Sequence, residues 1–249
     1  MTFDPWLLAA VTGTFVLAGT VKGVVGMGLP TVSLALLTAT VGLQPAMALL
    51  LAPTIVTNLW QALVGGYLVE ITRRLWAFLL ASAVTTWLGV WVLARVDVRW
   101  LSSLLGGLIV FYAVTGLCRL GLAAWVGRGR YAVTINGALT GLLTGMTGSS
   151  VFPGVPYLQS LGMPRDMLIQ AMGVMFMVTI MALGLAMGEQ RLLSVELGLL
   201  SLGAVVPALL GMQFGQYLRR RLSEEAFRSI FLLGLLAMGI YLLLRALLG

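Results

Sequence analysis

Two stretches decide how this chain folds. Residues 19–30 read Gly-Thr-Val-Lys-Gly-Val-Val-Gly-Met-Gly-Leu-Pro, and residues 141–153 read Gly-Leu-Leu-Thr-Gly-Met-Thr-Gly-Ser-Ser-Val-Phe-Pro. Both set glycines at one spacing: Gly19-x3-Gly23-x2-Gly26, and Gly141-x3-Gly145-x2-Gly148. Proline follows in each, at Pro30 in the first and at Pro153 and Pro156 in the second. Each lies in or beside a long run without charge. Residues 23–69 would extend ~70 Å as helix, enough for two crossings of a ~30 Å hydrocarbon core. Residues 131–164 would extend ~51 Å, enough for two short or broken segments. The other uncharged runs (75–94, 100–118, 167–188, 197–218 and 229–244) are each about one span.

Composition agrees. Of 249 residues, 60% are hydrophobic and 9% charged, against roughly 25% charged in soluble domains. Such a chain cannot cover a water-facing surface, so it reads as one all-α polytopic membrane bundle with no room for a soluble domain. There is no His, which removes His-based catalysis and metal sites. The single Cys118 allows no intrachain disulfide. The eight acids are scattered, and GxxxxGK[ST] does not occur. No enzyme activity, cofactor or metal is expected. A net charge of +7 fits cytoplasmic loops beside anionic lipid rather than nucleic acid. The first 21 residues hold no Lys or Arg, so residues 6–21 read as a retained span rather than a signal peptide.

Ten segments are predicted: 5–22, 24–41, 44–68, 74–95, 99–119, 131–147, 150–162, 166–188, 193–218 and 226–247. The alternative is eight spans, with 24–41 and 150–162 as loops or re-entrant pieces. Eight spans leave seven arginines on each side, which orients nothing. Ten segments put Arg73, Arg74, Arg119, Arg128, Arg130, Arg165, Arg219, Arg220, Arg221 and Arg228 on one side, and Arg95, Arg99, Arg191 and Arg245 on the other. The richer side is cytoplasmic by the positive-inside rule, which places both termini outside.

The halves repeat beyond their glycines. Gly42-Leu43-Gln44-Pro45-Ala46-Met47 matches Gly162-Met163-Pro164-Arg165-Asp166-Met167, and Leu88-Gly89 matches Leu210-Gly211. Five crossings per half turn the second repeat upside-down. The expected layout is two inverted repeats, 1–125 and 126–249, within one membrane domain. Short Gly/Pro-interrupted segments at matching places point to a secondary transporter with its site where they meet.

Candidate binding residues follow. Gly23, Gly26, Gly28 and Pro30 would cost a lipid-facing helix ~1 kcal/mol per Gly and ~3 for Pro. Irregular backbone at this depth needs protein or water around it. One reading is an unwound stretch whose N–H groups face an anion. The other is close helix packing through Gly19-x3-Gly23. Thr144, Gly145, Thr147, Gly148, Ser149, Ser150 and Pro153 pose the same choice, with hydroxyls added. Lys22 either attracts an anion or snorkels to the cytoplasmic interface. Thr54, Thr57, Asn58 and Gln61 share one helical face, lining a path or joining helices. Asn136 and Gln170 read as interhelical glue. Met172, Met175, Met177, Met181 and Met187 read as lipid-facing or packing bulk, and Trp60, Trp76, Trp87, Trp91, Trp100 and Trp125 as interface anchors. Glu196 is the deepest of the acids.

With its paired glycine motifs, two-half layout and size, the chain resembles the sulfite exporter TauE/SafE family of membrane permeases over essentially its whole length. The resemblance implies transport of a small anion, sulfur-containing as sulfite or an organosulfonate is, by a multi-pass protein of the bacterial cytoplasmic (inner) membrane. The second half departs from the first in carrying Ser149-Ser150 where the first has Met27-Gly28. The partners expected are that anion and membrane lipid, with a homo-oligomer left open. The alternatives are a non-transporting subunit of a membrane complex, or a permease for a different small solute.

Overall fold

The computed structural model describes residues 4–121, 126, 127, 129, 131–219, 221 and 224–248, except the side chains of 224–226, 228, 247 and 248. Trp125, Arg128, Arg130 and Arg220, and the side chain of Arg228, lie outside that description. The described residues form helices without strands: α1 (Pro5–Val25), α2 (Leu29–Val41), α3 (Leu43–Leu49), α4 (Leu51–Leu63), α5 (Leu68–Leu93), α6 (Val98–Leu117), α7 (Ala132–Thr147), α8 (Gly154–Ser160), α9 (Arg165–Glu189), α10 (Val195–Gly203), α11 (Val205–Arg219) and α12 (Glu224–Leu248).

Six stretches are long and apolar enough to cross a membrane: α1, α5, α6, α9, α10 with α11, and residues 229–246 of α12. The pair α3 and α4 makes a seventh if counted as one broken span. The helices that open each half's irregular region are shorter. α2 has 13 residues and α8 has 7, so α8 is only ~10 Å long. The expected segment 150–162 is therefore helical only near its end. Segment four begins earlier than expected, at Leu68, so Glu70, Arg73 and Arg74 belong to its first turns.

Segments 44–68 and 193–218 are each broken rather than continuous, at Leu50 and Ala204. Proline explains both. Pro53 and Pro207 lack an N–H, so the carbonyls four residues earlier, of Leu49 and Gly203, lose their helical partner. The first break is mended by Ser201 of α10. Its hydroxyl donates to the Leu49 carbonyl at 2.8 Å and accepts from the Ala52 N–H at 3.0 Å.

The chain divides into two compact units, each drawn from both halves. Unit one holds residues 1–53, 98–118 and 193–249; unit two holds 54–97 and 119–192. The halves read from the sequence, 1–125 and 126–249, therefore do not coincide with the units. In unit one, α1 lies along α11 and α6 along α12; in unit two, α7 lies along α5, which also packs on α9.

Contacts inside the units separate the two topologies. In unit one, Arg245 donates to the Ala39 carbonyl at the end of α2, and Arg99 and Arg245 line one cavity. Eight spans would hold those arginines on opposite sides. In unit two, Arg74 donates to the Leu161 carbonyl at 3.3 Å, and the Tyr67 N–H donates to Gln170 at 2.8 Å. Those contacts join the start of α5 to the α8–α9 turn and the start of α9, again as ten segments require.

Glu196 is not deep. It sits in the first turn of α10 and is exposed. Of the methionines on α9, Met172, Met175 and Met187 are buried packing and Met181 is exposed. Trp60, Trp76, Trp87, Trp91 and Trp100 are all exposed large side chains, as interface anchors must be.

Candidate functional site

The first irregular region belongs to unit one. Helix α1 starts under an Asp4 cap, whose carboxylate accepts from the Trp6 N–H at 2.9 Å, with Pro5 in its first turn. It ends at Gly26 in the left-handed conformation (φ +83°), whose N–H donates to the Lys22 carbonyl at 2.7 Å. Gly28 is also left-handed (φ +104°) and leads into α2, where Pro30 occupies the first turn. Proline is cheap there because first-turn N–H groups have no helical acceptor. Among the described residues, the N–H groups of Met27, Gly28, Leu29 and Thr31 have no acceptor. A second feature was not singled out from the sequence: Thr31 is 3% exposed and its hydroxyl has no partner. Lys22 is 5% exposed, the one buried charged side chain among the described residues. It is enclosed by protein and does not snorkel to an interface.

The second region belongs to unit two and repeats the first cap. Helix α7 ends at Gly148 (φ +77°), whose N–H donates to the Thr144 carbonyl at 2.7 Å. Beyond it the chain presents hydroxyls. The Thr144 hydroxyl lies 2.8 Å from that of Ser150, which lies 2.9 Å from that of Thr179 on α9. Thr144 also reaches the Thr140 carbonyl at 2.6 Å, and Thr179 the Met175 carbonyl at 3.0 Å. Thr147 donates to the Leu143 carbonyl at 2.7 Å, and the Ser149 N–H reaches the Thr147 hydroxyl at 3.3 Å. Ser150 is thus the hydroxyl of this chain with no bond back to its own helix. The N–H groups of Ser150, Val151 and Gly154 have no acceptor among the described residues. Pro153 caps α8. Thr179 was missed, although it is the only Ser or Thr in the run 167–188.

Several candidates have structural duties. A Cβ on Gly23 would meet the Gln216 N and the Gly215 Cα, both at 2.9 Å, besides the Met212 carbonyl oxygen. On Gly145 it would meet the Gly89 Cα and Val90 N at 2.6 Å. These two glycines let backbones touch, as Gly19 does against Ala208 and Gly141 against Ser82. By contrast, a Cβ on Gly26 meets nothing within 4 Å. Gln61 donates to the Ile169 carbonyl at 2.8 Å, and Gln170 to the Ala62 carbonyl at 2.8 Å, so both tie α4 to α9. Asn136 donates to the carbonyls of Val126 and Ala132, each at 2.8 Å. Thr54, Thr57 and Asn58 are buried on one face of α4.

Within unit one, the structure gathers Lys22, Gly26, Gly28 and Pro30 into one cap and helix start. Within unit two, it gathers Thr144, Thr147, Gly148, Ser149, Ser150 and Pro153 into another. The first offers a cation and amide donors, the second hydroxyls and amide donors. Both donor sets suit an oxyanion. The family model described as TauE, sulfite exporter TauE/SafE, matches residues 11–242. No curated protein and no solved structure matches the chain.

Proposed function

Because the chain belongs to the TauE/SafE family of sulfite exporters, a family of membrane transporters, we propose that it moves a small sulfur-containing oxyanion, such as sulfite or an organosulfonate, out of the bacterial cytoplasm across the inner membrane. The observation that carries the anion is Lys22, a buried lysine at the C-terminal end of α1. A buried ammonium beside the amides that open α2 is a donor set that an oxyanion fits. The four acceptor-free N–H groups that follow it add donors without adding acceptors.

The proposed mechanism is alternating access by two inverted repeats, with the anion held in unit one by Lys22 and the amides after Gly26; the amides after Gly148 and the Ser150 hydroxyl are a second donor set, in unit two. The acids whose side chains are described (Asp4, Glu70, Asp97, Asp166, Glu189 and Glu196) are all exposed, so none is placed as a proton relay inside a span. Export then needs no built-in proton coupling. A cytoplasm negative by 100 mV favours outward movement by ~2.3 kcal/mol per charge, hence ~4.6 for a dianion.

The test is flux from proteoliposomes loaded with sulfite, thiosulfate, sulfate or a sulfonate, under a potassium-set potential and no pH gradient. Efflux of a dianion should accelerate as the side bearing Arg73 and Arg74 becomes more negative. Efflux that ignores the potential but follows an imposed proton gradient defeats the energetic part of the proposal. A protein that moves none of the four anions is a structural subunit or a carrier of something else.

A further inference from the structure

Helices α1, α2 and α12 leave a groove between them in unit one, a cavity of about 400 Å³. That volume falls within the ~300–1,000 Å³ of small-molecule sites. No wall residue carries a polar side chain. Leu17 and Val21 come from α1, Val32 and Leu36 from α2, and Phe231 and Met238 from α12. Leu17 and Ile230, on the walls, are exposed large side chains, so one flank opens to hydrocarbon.

An apolar groove on a membrane bundle is filled by lipid tails when nothing else claims it. Two observations set this one apart. Its wall reaches the first cap. Val21 and Phe231 line it, and they are the side chains nearest Gly28: a Cβ there would meet Val21 Cγ1 at 3.2 Å and the Phe231 ring at 3.4 Å. Gly28 is buried, and its N–H is one of the four without an acceptor among the described residues. The groove thus runs from a buried donor set along α2 to Leu36, about 12 Å. A phospholipid keeps its headgroup at the bilayer surface and cannot set it there. Gly234, in the wall, is the second observation. Gly239 on the same helix lets α6 approach, since a Cβ on it would meet the Gly106 carbonyl oxygen at 3.1 Å. A Cβ on Gly234 meets nothing within 4 Å. Glycine inside a helix is unfavourable, and here no close packing accounts for it. What its missing side chain leaves is groove.

We propose that the groove takes the hydrocarbon tail of a sulfonate whose head is held by the amides after Gly26. This names the substrate class within the function proposed above, and rests on that reading: an alkyl or aryl sulfonate rather than bare sulfite. The two ends match in chemistry. Donors at the Gly28 end meet the anionic head, and uncharged walls beyond it meet the tail.

The experiment uses the full chain in phosphatidylcholine nanodiscs and a hexanesulfonate with a diazirine at the tip of its tail. After illumination the label should map to peptides covering 17–36 and 227–238. Unlabelled alkanesulfonates should block it, each methylene from methane- to hexanesulfonate lowering the half-blocking concentration about fourfold. Hexanol, with the tail and no anion, should block about tenfold less well than hexanesulfonate. In Gly234→Leu the new side chain occupies the groove, and leucine favours helix more than glycine does. Labelling there should fall roughly tenfold, the worth of two displaced methylenes. Label spread over all lipid-facing helices overturns the proposal and leaves the groove to lipid tails. So does hexanol that blocks as well as hexanesulfonate, or labelling unchanged in Gly234→Leu. Sulfite has no tail, so its efflux tests the transport reading by itself. Sulfite efflux without groove labelling removes the groove and keeps the transporter; groove labelling without efflux of any anion keeps the groove and removes the transporter.

Discussion

Residues 19–30 and 141–153 share a scaffold and differ in chemistry. In both, two glycines four apart press a helix onto the backbone of a partner: Gly19 and Gly23 on α11, Gly141 and Gly145 on α5. In both, the third glycine ends that helix in the left-handed conformation and returns its N–H to a carbonyl four residues earlier, at 2.7 Å. At the residue bearing that carbonyl the two diverge. One has Lys22, the other Thr144. Two residues past the cap, one has Gly28 and the other Ser150. The first continues into a helix of 13 residues, the second into one of 7. Packing and capping are thus kept where backbone geometry demands glycine. The side chains beside the caps are free to differ: a lysine in one region, hydroxyls in the other.

The largest effect should come from the packing glycines, where the regions are alike. Gly23→Val and Gly145→Val each drive a branched side chain into backbone that cannot yield. Overpacking alone costs about 1–3 kcal/mol, and a backbone clash costs more. Both variants should lose the monodisperse folded peak in size-exclusion chromatography. If either survives with wild-type thermal stability, the contact between its two helices is looser than described here.

Lys22 breaks the symmetry, and its removal should be next in size. Lys22→Met keeps the volume and deletes the charge. Losing a desolvated charge partner costs roughly 2–5 kcal/mol, so anion flux should fall by roughly a hundredfold or more while the folded peak stays. Thr144→Val, at the matching position, should cost far less. Equal losses in both variants would show that the charge is not what distinguishes the two regions.

Much of this was legible beforehand because charge and glycine are loud signals in a membrane chain. Uncharged runs located α1, α5, α6, α9 and α12, and arginine counts favoured the arrangement that the Arg245–Ala39 and Arg74–Leu161 contacts support. The repeated Gly-x3-Gly was legible too, but one pattern served two purposes. Gly23 and Gly145 pack, while Gly26 and Gly148 cap, and only neighbours in space separate them. The breaks at Leu50 and Ala204 were missed because Pro53 and Pro207 act four residues upstream, inside runs that hydropathy reads as continuous. Gln61 looked like a pathway residue because sequence shows its polarity and not the Ile169 carbonyl that occupies it. Thr179 and Thr31 were passed over because a threonine bonded back to its own helix and one buried without a partner look the same in sequence.

The caps give a smaller and more discriminating comparison. Valine at Gly26 or Gly148 would strain a left-handed residue by about 1–3 kcal/mol, whatever space surrounds it. Asparagine tolerates that conformation, yet at Gly26 it still places a side chain where a Cβ meets nothing within 4 Å. If the open space is where the anion approaches the backbone, Gly26→Asn should lower flux about tenfold with thermal stability nearly unchanged. Full activity in the asparagine variant and loss in the valine variant would mean that this glycine serves backbone geometry alone.

The hydroxyl cluster of unit two should give the smallest effect and the finest test of the division of labour. Thr144 and Thr179 each have a helical carbonyl within reach of their proton, at 2.6 and 3.0 Å. Ser150 has no such carbonyl and lies between them, 2.8 Å from one and 2.9 Å from the other. Its proton is therefore the one a ligand can draw from a neighbouring hydroxyl rather than from a helical carbonyl. A neutral hydrogen bond is worth about 1 kcal/mol net, so Ser150→Ala should raise KM for the anion about fivefold with little change in kcat. Thr179→Val removes a neighbour and not the donor, and should cost about twofold. Because the two residues share one hydrogen bond, the double variant should lose little more than Ser150→Ala alone, the non-additivity expected of groups in contact. Should Thr179→Val instead exceed Ser150→Ala, the donor to the anion sits on α9, and the symmetry with Gly28 would no longer locate it.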